Sequence, residues 1–261
     1  MTVLLTGAAG RIGTALRARL PELGWQLRCF DRDPVPDGIV GDLASAHDLD
    51  AAMAGDPAPS AVAHFAGVPT EAPWPVVREA NIEGLVQLFE AARRNGVRRV
   101  VYASSNHATG FTPVTAGLTT DPPPRPDTLY GVSKVFGEAL GRYYADRYGM
   151  QVACLRIGTF ADEPNDMRAL STWLSPGDCA RLVDACLRAP ALTYSVVWGI
   201  SANTRRTWSL DSARALGYEP LDDAEMFAER LDSPEPDPSD GLVGGGFTSA
   251  GFGIDEVQAR S

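Results

Sequence analysis

The sequence predicts an α/β protein built on a doubly wound parallel sheet, with a small C-terminal substrate lobe. Two observations predict this fold: apolar strand-like segments alternate with helix-like segments from the first residues, and glycines occupy the first strand-to-helix turn. Repeated βα units require a parallel sheet that is covered by helices on both faces. The length of 261 residues suits one such domain with a modest addition.

The predicted elements follow from hydrophobic periodicity. Short apolar or β-branched runs predict strands at residues 3–6, 25–30, 38–41, 61–66, 99–104 and 152–157. Helical spacing of apolar residues predicts helices at residues 11–20, 45–54, 76–94 and 128–148. Beyond residue 158 the pattern loosens into a helix at 176–188, a strand at 194–198 and a helix at 209–216. Pro, Gly and Asp dominate residues 232–246, which we interpret as a surface tail without a core of its own.

The chain is acidic, with 23 Lys and Arg against 33 Asp and Glu and a net charge of −10. Nucleic acids and anionic membranes bind basic surfaces, so neither is expected as a partner. No apolar run is long enough for a membrane span, and the first residues lack the basic region of a signal peptide. We therefore expect a cytoplasmic protein.

Cysteine and histidine spacing argues against disulfides and metals. The four cysteines form no CxxC pair, and we interpret them as reduced structural thiols. The three histidines show no spacing typical of metal ligands, so no metal site is predicted.

The turn after the first strand carries three glycines in the spacing GxxGxxG. Gly7 would allow the sharp turn, Gly10 the close approach of the backbone to a pyrophosphate, and Gly13 the packing of helix on sheet. Arg11 and Ile12 open the helix, whose free N–H groups suit phosphate oxygens. The position of this motif after the first strand predicts a Rossmann-type dinucleotide site.

Asp31 ends the second strand, 18 residues after the third glycine, where an acid binds the adenosine ribose. Its carboxylate would repel a 2′-phosphate at ~4 Å by about 4 kcal/mol per charge, which favours NAD over NADP. Arg32 is counter-evidence, because an arginine here can pair with that phosphate. Asp42 and Leu43 suit the adenine edge, and Ala66 follows the fourth strand beside the cofactor.

Tyr130 and Lys134 have the YxxxK spacing, which places them on one face of a helix. An ammonium ~5 Å from the phenol would lower its pKa of about 10 by about two, so Tyr130 could act as an acid/base near neutral pH. Ser105, at the end of the fifth strand, could hydrogen-bond the same substrate oxygen. The alternative is a tyrosine that merely packs on an apolar helix face.

These residues together resemble the extended short-chain dehydrogenase/reductase family over about residues 1–160, with Tyr130, Lys134 and Ser105 as its catalytic residues. This resemblance implies an NAD-binding domain at 1–160 and a substrate-binding lobe with a tail, packed on the same domain, at 161–261. A narrower resemblance, to the uronate dehydrogenases of that family, covers nearly the whole chain. It rests on residues 103–107, 124–127, 129–138, 156–158, 163–165, 168–173, 236–240 and 245–247.

The narrower resemblance implies oxidation of a hexuronic acid, glucuronate or galacturonate, at C1 to an aldaric acid lactone with NAD as cofactor. It implies that Ser105, Asn106 and His107 meet the sugar hydroxyls beside Tyr130, and that Arg168 holds the carboxylate. An arginine suits this role because its planar fork matches a carboxylate. From the sequence alone, a surface charge is the simpler interpretation of Arg168.

Two positions depart from the family, which tends to have serine where this chain has Pro69 and Thr159. Thr159 keeps a hydroxyl for the substrate, whereas Pro69 has none. We expect a homo-oligomer with a small-molecule sugar acid as its partner. Two alternatives remain: a sugar-nucleotide epimerase or dehydratase of the same superfamily, and a non-enzymatic NAD-sensing regulator.

Overall fold

The computed structural model describes residues 1–231 and 241–253, and its centre is a seven-stranded parallel sheet. The strands run β1 (Thr2–Thr6), β2 (Gln26–Asp31), β3 (Ile39–Val40), β4 (Ala61–His64), β5 (Arg99–Ser105), β6 (Gln151–Ile157), β7 (Thr159–Phe160), β8 (Trp173–Leu174) and β9 (Tyr194–Gly199). The sheet order is β3-β2-β1-β4-β5-β6-β9, while β7 and β8 form a separate parallel pair. The chain reverses its winding direction between β1 and β4, where ligands bind in doubly wound sheets.

Helices cover both faces of this sheet. They are α1 (Arg11–Arg19), α2 (Ala46–Met53), α3 (Trp74–Val77), α4 (Gly84–Arg94), α5 (Leu129–Tyr148), α6 (Ala169–Thr172), α7 (Pro176–Arg188) and α8 (Asp211–Arg214). A π-helical segment, Arg78–Glu83, joins α3 to α4, and short 3-10 turns occur at Pro21–Leu23, Asn106–Thr109, Ala224–Arg230, Gly245–Thr248 and Ala250–Phe252. Within residues 1–231 and 241–253, no helix is both long and apolar enough to span a bilayer.

Two hydrophobic clusters hold the layers together, one on each face of the sheet. On one face α1 and α7 pack through side chains such as Leu16 and Leu182; on the other, α2 and α4 pack through Leu49 and Leu88. All four of these leucines are fully buried, and burial of a leucine side chain contributes about 1.5–3 kcal/mol. The predicted Rossmann-type, doubly wound α/β fold is confirmed. The four cysteines are buried, and none of them forms a disulfide within the described residues.

The second half of the chain departs from the sequence-based boundaries in two places. β9 adds the last strand of the sheet beside β6, so the sheet extends past residue 160. The helix expected at 209–216 shrinks to α8. The backbone explains this change: the N–H of Ser209 donates to the Leu118 carbonyl, and Gly217 at φ 93° ends the segment.

The predicted surface tail is wrong for its described part. Val243 is fully buried in the core, and Leu242 pairs with Pro113 in an antiparallel bridge. The N–H of Gly244 donates to the Gly110 carbonyl at 2.9 Å. Residues 241–253 therefore pack against the segment that follows β5. Residues 232–240, which include the whole motif at 236–240, lie outside the described residues.

Candidate active site

The glycine loop after β1 has the geometry that its spacing predicts. Gly7 adopts φ 75°, and a Cβ there would lie 2.5 Å from the Ala66 nitrogen. A Cβ on Gly13 would lie 2.0 Å from the Gly7 oxygen, so this glycine lets α1 approach the loop. Gly10 is the N-cap of α1 and supplies no side chain to the first-turn N–H groups. These N–H groups suit an anion such as a pyrophosphate.

The side chains of Arg11 and Ile12, at the start of α1, make different contacts. The Arg11 guanidinium reaches across to donate to the Phe160 carbonyl at 2.5 Å, so this cation lies between the glycine loop and β7. The Ile12 side chain packs against the core. Ile12 can therefore contribute only its backbone to a ligand at this helix terminus.

Asp31 lies at the edge of a cleft between β2 and the segment after β4. The Ala9 N–H donates to its Oδ2 at 2.9 Å, and the Asp33 N–H donates to its Oδ1 at 3.1 Å. Each oxygen keeps a lone pair for a ribose hydroxyl. The residues that line the cleft include Phe30, Asp31, Arg32, Asp42, Leu43, Ala66, Val76, Glu79 and Ala80.

These residues fit an adenosine better than its 2′-phosphate. Apolar walls from Leu43 and Ala66 suit the adenine ring, and three carboxylates, on Asp31, Asp42 and Glu79, disfavour a second anion. Together with the uncapped start of α1, the cleft fits a dinucleotide such as NAD. The predicted residues Asp31, Asp42, Leu43 and Ala66 thus lie together, and their roles toward a cofactor stay predictions.

Tyr130, Lys134 and Ser105 meet where β5 ends beside α5, and all three side chains are buried. Thr128 caps α5 by accepting from the Gly131 N–H at 3.0 Å, which places Tyr130 in the first turn. The Lys134 Nζ donates to the Ala103 carbonyl at 2.9 Å and lies 5.3 Å from the centre of the Tyr130 ring. The phenol, the ammonium and a hydroxyl are therefore brought together as the sequence predicts.

The pKa values of this group correct one expectation. Burial raises the pKa of Tyr130 to about 12, against the lowering effect of the Ser105 hydroxyl. Burial also lowers the pKa of Lys134 to about 8. The expected lowering of the Tyr130 pKa by the ammonium is wrong for the protein alone, because loss of solvation disfavours both charged forms.

Asn106 and Arg168 both donate a hydrogen bond to the same backbone oxygen, the carbonyl of Val243. Asn106 Nδ2 donates to the Val243 carbonyl at 3.0 Å, and Arg168 Nη2 donates to the same oxygen at 2.6 Å. A Cβ on Gly245 would lie 2.5 Å from Arg168 Nε, so the segment packs closely on the guanidinium. Arg168 is therefore part-buried beside Asn106 and not a surface charge, and it forms a wall of a cavity that Ser171, Thr172 and Val243 also line. The sequence did not predict that residues 241–253 form part of this wall.

His107 and Thr159 also have fixed partners. His107 Nδ1 bonds Asp127 Oδ2 at 2.8 Å, and its ring lies 4.1 Å from the Phe247 ring, centre to centre. The Thr159 hydroxyl bonds the Thr172 hydroxyl at 2.9 Å, and Thr172 Oγ1 in turn donates to the carbonyl of Arg168. The hydroxyl retained at position 159 thus connects to the backbone that carries the arginine.

Pro69 lies in an exposed loop between β4 and α3. Beside it, both the N–H and the carbonyl of Val68 are bonded by the Asn81 amide. Glu71, two residues further, accepts from the Tyr130 N–H at 2.7 Å. Proline adds neither a hydroxyl nor an N–H to this loop.

Comparisons with known proteins agree with this geometry. A family profile described as the NAD dependent epimerase/dehydratase family matches residues 3–191. This chain belongs to that family. It is 44% identical to a uronate dehydrogenase from Agrobacterium fabrum, over 92% of this chain and 93% of the relative. It is 38% identical to an NAD-dependent glucose-6-phosphate dehydrogenase from Haloferax volcanii, over 86% and 95% respectively.

A solved structure resembles the fold closely. The crystal structure of a mutant uronate dehydrogenase from Agrobacterium tumefaciens, complexed with NAD, superposes with a TM-score of 0.88 at 41% identity. The match covers 95% of this chain and 96% of that one. The family and the suspected resemblance to uronate dehydrogenases are therefore confirmed.

One buried residue of this epimerase/dehydratase-family site escaped the sequence analysis. Asn81 lies in the π-helical segment, where its side chain clamps Val68 and donates to the Ser133 hydroxyl at 3.0 Å. Ser133 Oγ in turn donates to the Tyr130 carbonyl at 2.6 Å. π-bulges are frequent at functional sites. The available signal was a polar amide at helical spacing between the apolar residues Val77 and Leu85.

Proposed function

We propose that this protein oxidises a hexuronic acid at C1 of its cyclic form, with NAD as cofactor. The anomeric hydroxyl loses its proton to Tyr130 and C1 loses a hydride, so the product is an aldaric acid lactone that opens in water. NAD supplies the hydride acceptor and, in its oxidised form, a positively charged ring. The chain supplies binding, orientation and the path of the proton.

The proton step rests on the arrangement at the start of α5. With a pKa of about 12, Tyr130 is almost entirely the protonated phenol at neutral pH in the protein alone, so little of the basic phenolate is present. Tyr130 accepts the sugar proton as the phenolate, and the Lys134 ammonium, 5.3 Å from its ring, stabilises that phenolate before the proton is transferred. The Ser105 hydroxyl can donate to the same sugar oxygen and hold it near the phenol.

The contacts of the Val243 carbonyl are the observation that supports a sugar acid as the substrate. Because Asn106 and Arg168 donate to this one oxygen, a guanidinium lies beside the residues expected to meet sugar hydroxyls. A charge-assisted bond to a charged group contributes about 1.5–3 kcal/mol, or roughly 10- to 150-fold in affinity. In a chain with net charge −10, such a local cation is needed to attract an anionic sugar.

Steady-state kinetics with Arg168→Ala test this proposal. We expect kcat/KM for glucuronate or galacturonate to fall at least 10- to 150-fold, while kcat/KM for glucose and galactose, already low, hardly changes. Arg168→Lys should recover part of the loss, because lysine keeps the charge without the fork. Arg214→Ala is the matched control, since Arg214 is exposed on α8.

Arg168 also bonds the Val243 carbonyl, so its removal could act through the structure instead. An equal loss on uronates and neutral hexoses would show that structural role, and the sugar-acid proposal would fail.

The substrate panel should include glucose 6-phosphate, because a relative is named for that sugar. A higher kcat/KM for the phosphate than for either uronate would assign the arginine to a phosphoryl group. The homo-oligomer stays a prediction, which analytical ultracentrifugation can test.

A further inference from the structure

Asp127 lies in a niche whose walls are three glycines from separate segments. A Cβ atom on Gly110 or Gly244 would lie 1.9 or 2.0 Å from Asp127 Oδ2, and one on Gly131 would lie 3.1 Å from Oδ1. The side chain of Asp127 is 0% exposed. The segment after β5, the first turn of α5 and the C-terminal segment all leave room for this carboxylate.

A carboxylate in such a niche needs hydrogen-bond donors. Oδ2 bonds His107 Nδ1 at 2.8 Å, and Oδ1 accepts from the Thr128 hydroxyl at 3.0 Å. Because Thr128 Oγ1 accepts from the Gly131 N–H, its own hydrogen is directed to Asp127. Both oxygens of Asp127 therefore act as acceptors, and the proton of the His107 bond lies on Nδ1.

Packing fixes the plane of the His107 ring as well. The Phe247 ring lies 4.1 Å away on one side, and the Tyr130 ring meets it edge-on at 5.9 Å. Within residues 1–231 and 241–253, the Nε2 atom of His107 has no hydrogen-bond partner, and the His107 side chain is 13% exposed. With Nδ1 protonated, the neutral imidazole presents Nε2 as an acceptor beside the phenol.

We propose that Asp127 is a positioning residue that acts through His107, holding its proton on Nδ1 so that Nε2 accepts a substrate hydroxyl. An acceptor at Nε2 attracts a hydroxyl and repels a carboxylate. The pair therefore sets the orientation of the sugar: a hydroxylated edge faces His107, and the carboxylate must lie elsewhere. This last step rests on the proposed function, whereas the position of the proton does not.

Nitrogen-15 NMR of the full chain with labelled histidine tests the proton position without any substrate. The chain has three histidines, so the spectrum is simple, and a His107→Gln variant assigns the signal. At pH 8 we expect His107 with Nδ1 protonated and Nε2 unprotonated. Asp127→Ala should move the proton toward Nε2, the nitrogen that histidine in water prefers to protonate. A protonated Nε2 in the wild-type protein overturns the proposal, whether or not the variant folds.

A double-mutant cycle tests whether Asp127 acts through His107, using the sugar that the substrate panel identifies. We expect Asp127→Asn to lower kcat/KM about 10- to 100-fold, by analogy with the loss of hydrogen-bond partners that orient metal-ligating histidines. The Kd for NAD should stay within two-fold, on the order of measurement scatter. The double variant Asp127→Asn/His107→Gln should lose no more than His107→Gln alone. If the losses of the two single variants multiply in the double variant, Asp127 acts independently of His107, and the proposal fails.

Discussion

Replacing Lys134 by methionine removes one charge from the catalytic helix and keeps most of the side-chain stem. The Lys134 Nζ lies 5.3 Å from the centre of the Tyr130 ring and donates to the Ala103 carbonyl. At that separation and an effective dielectric near 20, the attraction between ammonium and phenolate is about 3 kcal/mol. This corresponds to a change of about two in the pKa of Tyr130, or roughly 200-fold in the proton-transfer equilibrium.

The charges determine the direction in which the Tyr130 pKa and kcat/KM change. Loss of the cation raises the Tyr130 pKa further above its value of about 12, so a smaller fraction of Tyr130 is the phenolate that can accept the proton. Lys134 itself has a pKa of about 8 and is charged below that pH. The electrostatic assistance is therefore present below pH 8 and is lost as pH rises through 8. We expect kcat/KM of Lys134→Met to be about 100-fold below wild type at pH 7, with the gap narrowing toward pH 10.

The assay is the pH profile of kcat/KM for both proteins between pH 6.5 and 10, with the Kd for NAD measured separately. In a Tyr130→Phe background, Lys134→Met should cause little further loss, because the group that it assists is gone. A ratio between wild type and variant that stays constant across this range would refute the electrostatic role of Lys134.

Two further predictions concern the cofactor and the core. Asp31→Ala should lower kcat/KM with NAD at least ~10-fold and leave the low value with NADP unchanged or higher, because the ribose loses an acceptor and a 2′-phosphate loses a repelling charge. Equal losses with both cofactors would show that Asp31 serves only the Ala9 N–H. Glu138→Gln should lower the free energy of unfolding, measured in urea, by about 3–5 kcal/mol, since it breaks the buried pair with Arg156. Asp146→Asn, in an exposed pair with Arg142, should cost at most about 1 kcal/mol, and similar losses at both sites would contradict this reasoning.

Local patterns in the sequence were sufficient to predict the sheet, its layers and the glycine loop. Gly7 and Gly13 lie where their spacing requires, and the YxxxK pair meets Ser105 because α5 follows the end of β5. These features depend on hydrophobic periodicity and on the order of strands and helices. Both can be read directly from one sequence.

Features that depend on distant contacts were not predictable in this way. The burial of Val243 and its bonds to Asn106 and Arg168 come from packing between remote segments. The raised pKa of Tyr130 depends on how much solvent the folded chain excludes, which the spacing to Lys134 does not reveal. The clamp made by Asn81 needs a π-turn, for which the sequence carries no periodic signal.

The contacts of the Val243 carbonyl bear on the order in which the two binding regions of the protein can form during synthesis. Its bond to Asn106 spans 137 positions, and every strand of the sheet precedes it in the chain. The residues of the glycine loop and the Asp31 cleft are synthesised first. A nascent chain can therefore begin to bind a dinucleotide early. The pocket wall beside Arg168 arrives only with residues 241–253. Because Val243 is also fully buried in the core, this segment completes both the packing of the domain and the pocket wall.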